Sequence, residues 1–161
     1  MWSDSIPSAR MREIVALLHS ILPRPSASFA IRTPLQGQPS PEQLAELLHA
    51  TPGFSWLDGA NTRQILLDQP LATISCNGET ASASGPGGTV QFPARAMDVL
   101  DAMLEAWRGP SEALLVGFLS YDLAGEIEDL DPQPECDFSF PTLHFGLFDS
   151  ALVREDGARA Q

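Results

Sequence analysis

The residues best equipped for chemistry crowd into one stretch, LLVGFLSYDLAGEIEDLDP, from Leu114 to Pro132. An apolar run there leads straight into Tyr121, Asp122, Glu126, Glu128, Asp129 and Asp131. Acids at that density fit an acid–base pair, a cation-binding loop, or the solvated face of a helix leaving a sheet. On a helix, Asp122 and Glu126 are i, i+4 neighbours. Without a base or a pocket beside them, such a pair reads as a solvated face. The alternating acids from Asp129 fail as a calcium loop, which needs Gly at its sixth position and Glu at its twelfth. Pro134 and Phe140 stand there.

Other candidates fail on named positions. Ser120 lies in GFLSYD, which is not the G-x-S-x-G nucleophile elbow. The Gly-rich SGPGGT, Ser84 to Thr89, lacks the lysine of a phosphate-binding loop and leads into a strand, so it reads as a surface hairpin. His19, His49 and His144 are scattered, with no Cys, Asp or second His at ligand spacing. Cys76 and Cys136 are far apart and show no C-x-x-C spacing, which fits ordinary thiols in a reducing compartment. No self-contained active site emerges from these motifs.

Composition narrows the function classes. The 161 residues are 43% hydrophobic, enough for one domain with a core. The net charge is −12, and all nine basic residues are arginine. Lysine chemistry is therefore excluded: no Schiff base, no Walker lysine. So acidic a chain is a poor binder of nucleic acid or of an anionic membrane surface. The beginning shows no basic region followed by an apolar segment, and no apolar run approaches the roughly 20 residues of a bilayer span. A soluble, cytoplasmic protein is expected.

The elements that must position these residues can be read from periodicity. Met11, Ile14, Val15, Leu18 and Ile21 or Leu22 form one helical stripe. A Pro- and Ser-rich linker follows, with one short strand expected near Phe29 to Arg32. Ser40, Pro41 and Gln43 open a helix with a capping box, and Leu44, Leu47 and Leu48 supply its apolar face. FSWLD, QILLD and LATISC read as short strands, then CNGETASASGPGGTVQF as two more around a Gly-rich turn. PARAMDVLDAMLEAW returns to helix, with Met97, Leu100, Leu104 and Trp107 on one face. Val116 to Tyr121 is expected as a central strand, Asp122 to Leu130 as a helix with its acids in water, and PTLHFGLFDSALVRE as one long last strand. The sum is α+β, a largely antiparallel sheet with helices packed on one side. ALVREDGARAQ reads as a hairpin that stops as its second arm begins, which suggests a cut chain or a sheet completed by another chain.

The order of the pieces resembles the N-terminal domain of component I of the chorismate-utilising synthases, anthranilate synthase and aminodeoxychorismate (para-aminobenzoate) synthase. IRTPLQGQPSPEQLAELLHATPGFSWLDGA resembles the family's opening strand, helix, Pro-Gly turn and strand ending in a Leu-acid-Ser motif, here WLDGA. RQILLDQPLATI resembles its Arg-aromatic-Asp-Ile segment. VGFLSYDLAGEIEDL resembles its Gly-Tyr-x-x-Tyr-Asp/Glu-Leu strand and helix, and DFSFPTLHFGLFDSALV the stretch after it. The Gly-Leu-Phe-Asp there is closer to the aminodeoxychorismate branch. The resemblance implies a domain over residues 26–161, truncated before the chorismate-binding domain, with residues 1–25 as a helical extension.

The resemblance also implies function. The family aminates chorismate with ammonia from a glutamine amidotransferase subunit. Its Mg²⁺-binding glutamates and acid–base residues belong to the C-terminal chorismate-binding domain, so no catalytic or metal residue transfers to this chain. That domain, in cis or in trans, and the amidotransferase are the partners implied. The family's tryptophan pocket maps onto Gly59, Arg63 and Gln64, with Thr62 adjacent. Gly59 lacks the serine hydroxyl, a donor worth about 1 kcal/mol, and Gln64 replaces an aromatic. Two alternatives stay open: a stand-alone module binding a small aromatic acid or amino acid, and an unrelated enzyme using Asp122 and Glu126. An exposed hydrophobic face with a tendency to self-associate is expected, because the apolar strands belong under a second domain.

Overall fold

The computed structural model describes residues 8–22, 40–59, 63–107, 114–130 and 140–155. Helix α1 spans Ala9–Ile21 and α2 spans Pro41–Leu48. Strands β1 (Ser55–Asp58), β2 (Arg63–Leu67), β3 (Ala72–Asn77), β4 (Thr80–Gly85) and β5 (Gly88–Pro93) follow. Then come α3 (Ala96–Ala106), β6 (Leu114–Leu119), a 3-10 turn at Tyr121–Leu123 and α4 (Ala124–Ile127). Strands β7 (Leu143–Phe148) and β8 (Leu152–Glu155) end the order. The fold is α+β and every pair among the described strands is antiparallel.

The strands form two sheets rather than one. The larger runs β5-β4-β3-β7-β6 and the smaller β1-β2-β8. The chain changes sheet at two turns, each led by an aspartate. Between β2 and β3, Asp68-Gln69-Pro70 turns with Gln69 at φ +50°. Between β7 and β8, Asp149 and Ser150 bond each other through their side chains (3.1 Å). Asp, Ser and Pro resist a continuous ladder, so the expected single last strand becomes two.

Helices α1 and α3 cover one face of the larger sheet. Alternate residues Ala72, Ile74 and Cys76 of β3, Ala81 and Ala83 of β4, and Leu143 and Leu147 of β7 point into that core. The helix α1 stripe meets them with Ile14, Leu18 and Ile21. Ser8 caps α1 by accepting from the Met11 N–H (3.1 Å). The capping box of α2 forms as expected at Ser40 and Gln43, and α2 packs against β2. Its apolar face is only partly used, with Leu47 74% exposed.

The buried face of α3 differs from the stripe expected. Ala96, Val99, Ala102, Met103 and Ala106 are buried, while Leu104 is 51% exposed. The small residues let α1 approach closely, and the larger Met97, Leu100 and Trp107 flank the contact. The two hairpins match expectation. The turn after β3 places Gly78 at φ +58°, as a two-residue hairpin loop demands. The SGPGGT hairpin is clasped by Ser84 and Thr89, whose hydroxyls lie 2.9 Å apart.

Two expectations about the acidic stretch are corrected. Strand β6 is an edge strand, hydrogen-bonded to β7 alone among the described strands. Strands β3 and β7 hold the centre instead, because the helices cover that part of the sheet and leave β6 largely exposed. The expected helix from Asp122 to Leu130 is also shorter: one 3-10 turn, then four helical residues ending at Ile127. The short strand expected near Phe29 to Arg32 and the returning arm after Glu155 lie outside the described residues.

Candidate functional site

The acids after Tyr121 do not converge. Asp122, Glu128 and Asp129 are exposed. Glu126 turns inward instead of facing water. Helix α3 begins at Arg95 with no side-chain cap of its own, and the Glu126 carboxylate supplies one from about thirty residues away. Its two oxygens accept from the Ala96 N–H (3.1 Å) and the Met97 N–H (3.2 Å). Arg95 closes the clasp, with Nε 3.7 Å from Glu126 Oε2 and a second nitrogen donating to the Glu126 carbonyl (2.9 Å). An anion at a helix N-terminus is stabilised by the free N–H groups and the helix dipole. Glu126 is therefore a structural cap joining the β6 end of the sheet to the helix layer.

Three of the four positions that resemblance marks fall at one end of the smaller sheet. Gly59 directly follows β1, and Arg63 and Gln64 open β2. Register pairs Asp58 with Gln64, and the Gln64 amide donates to Asp58 Oδ1 (3.1 Å). Gly59 is exposed. The hairpin thus brings Gly59, Arg63 and Gln64 together, while Thr62 lies outside the described residues.

A different concavity is formed by the opposite end of β1 and the helix-free face of the larger sheet. It is a cleft of roughly 410 Å³. Trp56 and Phe54 stand on one side, and Thr73, Phe118, His144 and Phe148 on the other. Register explains the second wall. Thr73, Gly146 and Val116 form one row across β3, β7 and β6, and Ser75, His144 and Phe118 the next. All point away from the helices, because Leu143, Phe145 and Leu147 take the other face. Gly146 is required here. A Cβ on it would meet the Phe148 ring at 2.8 Å, so its absence lets that ring lie against the strand. Gly53, at φ +79°, closes the cleft's end, where a Cβ would collide with the Pro70 ring.

The lining of the cleft is aromatic and apolar, with His144 and Thr73 among its polar groups. His144 stacks obliquely on Phe118, ring centres 5.9 Å apart and tilted by 31°. Among the described lining residues there is no carboxylate, thiol or second imidazole to orient it as a general base. The other histidines have backbone partners: His19 Nε2 lies 3.3 Å from the Ala106 carbonyl oxygen, and His49 Nδ1 lies 2.6 Å from that of Glu46. Among the described residues no group of three or more His, Cys, Asp or Glu side chains is placed to hold a metal ion. Cys76 is buried in β3, its thiol donating to the Ala94 carbonyl (3.3 Å). Burial, with the charges of Glu126 and Asp98, pushes it up to about 11, which makes it a poor nucleophile. Cys136 lies outside the described residues.

Sequence reasoning missed the cap made by Glu126 and the cleft role of His144. The second had a signal, since His144, Gly146 and Phe148 alternate against Leu143, Phe145 and Leu147. The first had none, because the partner N–H groups lie about thirty residues away.

No family model and no curated protein matches the chain. Among solved structures, the chain is similar to anthranilate synthase component I from Streptococcus pneumoniae TIGR4, at 22% identity and a TM-score of 0.48. The match covers 78% of this chain and 29% of that one, so this chain spans about three tenths of that protein's length. Among the described residues no helix is long and apolar enough to cross a membrane.

Proposed function

We propose that this chain is the N-terminal, non-catalytic domain of a component I chorismate-utilising synthase, of the aminodeoxychorismate type that serves para-aminobenzoate and folate biosynthesis. The observation that carries the proposal is the order of four family-like stretches along one chain: WLDGA, RQILLDQPLATI, VGFLSYDLAGEIEDL and DFSFPTLHFGLFDSALV. Support also comes from the bare apolar surface around β6, where Phe118, Leu119 and Tyr121 are exposed. Single exposed apolar residues are ordinary, but several at one sheet edge suit a domain that packs on another.

In this reading residues 26–161 form the domain and residues 1–25 an extension whose helix is built into the same core. Chemistry would reside in a chorismate-binding domain holding Mg²⁺, with ammonia delivered by a glutamine amidotransferase subunit. Gly59, Thr62, Arg63 and Gln64 would border the tryptophan pocket, weakened by the missing serine hydroxyl. The test is co-expression with a chorismate-binding domain, followed by size-exclusion chromatography and an ammonia-dependent assay with Mg²⁺ and chorismate. Co-elution with formation of aminodeoxychorismate is expected. Anthranilate as product would move the chain to the other branch, and failure to associate would sink the reading.

The cleft favours a second reading, a stand-alone module for a small aromatic acid or amino acid. Trp56, Phe118 and Phe148 offer aromatic walls, and Thr73 and His144 offer polar contacts. Calorimetry of the chain with tryptophan and with chorismate decides it. Heat from either one supports the module, and silence from both removes it.

A further inference from the structure

We propose that Asn77 and Gly78, at the tip of the β3–β4 hairpin, are a site of self-modification, where the chain converts Asn77 to isoaspartate and aspartate through a cyclic imide. Asparagine followed by glycine suits this chemistry, because no side chain shields the glycine nitrogen from the preceding side-chain amide. Sequence alone marks only the dipeptide. The structure adds that both reacting groups are free.

Strand β3 ends at Asn77, which pairs with Thr80 in the last rung of the hairpin. Gly78 and Glu79 form the loop between them, with Gly78 at φ +58°. All four residues are exposed. A Cβ on Gly78 would meet nothing within 4 Å, so water and hydroxide reach its nitrogen. Among the described residues neither the Gly78 N–H nor the Asn77 side-chain amide makes a hydrogen bond. The nitrogen that must attack and the amide that must leave are thus both uncommitted. The comparable dipeptides differ on these points. Asn61, the chain's second asparagine, precedes Thr62, whose branched side chain crowds the attacking nitrogen. Asp58 precedes Gly59, but its carboxylate accepts from the Gln64 amide (3.1 Å), and ring closure there would release water and leave the mass unchanged after reopening.

The step needs no co-reactant beyond water. The Gly78 nitrogen bonds to the Asn77 side-chain carbonyl carbon, and that carbon's bond to the side-chain nitrogen breaks. Ammonia leaves, taking up the Gly78 proton. Water then opens the five-membered ring at either carbonyl, giving aspartate or isoaspartate. Nothing is oxidised or reduced. The extended backbone at Asn77 holds the two groups apart, so the rung to Thr80 must fray first. The end of a hairpin is where such local opening costs least. Each product adds a negative charge to a chain of net charge −12. Isoaspartate also lengthens the backbone beside two contacts of the loop. The Cys76 thiol lies 3.5 Å from the Gly78 carbonyl oxygen, and the Glu79 carbonyl accepts from the Ala94 N–H (3.0 Å).

The test incubates the full chain in warm, mildly alkaline buffer and follows it by peptide mapping with mass spectrometry. A gain of one mass unit on the peptide carrying Asn77 is expected, with ammonia released in step and isoaspartate the larger product. Asn61 should stay unchanged over the same period. Asn77→Gln keeps the amide and the charge but lengthens the side chain, and should abolish the gain, because a six-membered ring closes far more slowly. A free peptide spanning Ala72–Gly85 should convert faster than the folded chain, since it has no stable rung to open. Hydrogen exchange at Ala94 should speed up as isoaspartate accumulates. A folded chain that keeps Asn77 intact while the peptide converts overturns the proposal. So does aspartate without isoaspartate, which would mean direct hydrolysis of the amide. A gain that Asn77→Gln leaves in place, or conversion of Asn61 ahead of Asn77, would equally remove it.

Discussion

The two faces of the larger sheet come from the same alternating strands and carry opposite chemistry. The helix-covered face is packed with Ala72, Ile74, Cys76, Ala81, Ala83 and Leu143, all nearly inaccessible. The other face is divided. Toward β4 it presents Ser82 and Ser84, half-buried and polar. Toward β6 it turns apolar with Val116, Phe118 and Phe148 around the cleft. The first face is finished by its own helices, and the β6 half of the second is not. Where one face of a sheet is covered, period-two patterning fixes which residues enter the core. Where apolar residues lie on the uncovered side, the pattern marks a surface built for contact.

The sharpest way to break that contrast is to remove matched leucines from the two sides. Leu143→Ala empties a fully buried position in β7 and should cost about 2–5 kcal/mol of stability. Leu114→Ala, on the helix-free face of the edge strand and 38% exposed, should cost about 0.5 kcal/mol. Urea unfolding of both variants measures the difference. Equal losses would mean that the β6 edge is as well covered as the core.

Cys76 tests how dry the covered face is. Its thiol titrates at about 11 instead of 9.0, chiefly because burial disfavours the thiolate. The unfolded chain releases that proton first. The thiol's contribution is therefore complete below pH 9 and is lost as pH rises through about 11. A separation of that size corresponds to a ceiling of a few kcal/mol, on the order of 1 kcal/mol per pH unit. Unfolding free energy should fall over this window in the wild type and less steeply in Cys76→Ala. Identical slopes would show that water reaches the β3 side of the core.

Much of this fold is legible in the residue pattern. The stripe of α1, the capping box at Ser40 and Gln43 and the SGPGGT hairpin are all local signals, and the structure has them all. What escaped was settled by distant contacts. Helix α3 turns Ala96, Ala102 and Ala106 inward because α1 packs there, whereas hydrophobicity alone favours the leucines. Strand β6 is the most apolar strand and still lies at an edge, because apolarity records that a strand needs cover without saying which molecule supplies it. The acidic stretch reads as solvated from spacing alone, and Glu126 departs from it because the N-terminus of α3 lacks a cap.

That cap ties the two regions together. Glu126→Ala would leave the Ala96 and Met97 N–H groups without their acceptor and Arg95 without its carboxylate partner, keeping only the backbone carbonyl. A loss of about 1–2 kcal/mol is expected. Glu126→Gln keeps an acceptor and should lose about half as much. Hydrogen exchange should speed up at Ala96, Met97 and the residues of α4 together. If only α4 responds, the clasp does not hold the helix layer to the sheet's edge.

The smallest effect expected is in the other sheet. The Gln64 amide donates to Asp58 across the β1–β2 pair, and this contact is exposed. Water replaces it readily, so Gln64→Ala should cost only about 0.5 kcal/mol. Its effect on ligand is the informative readout. If the end of this hairpin borders a binding site, Gln64→Ala should change the heat of tryptophan binding while leaving stability nearly untouched. If the cleft is the site, the heat should instead respond to Phe118→Ala, whose ring lines that wall. The two substitutions separate the ends of β1 and decide which one a ligand uses.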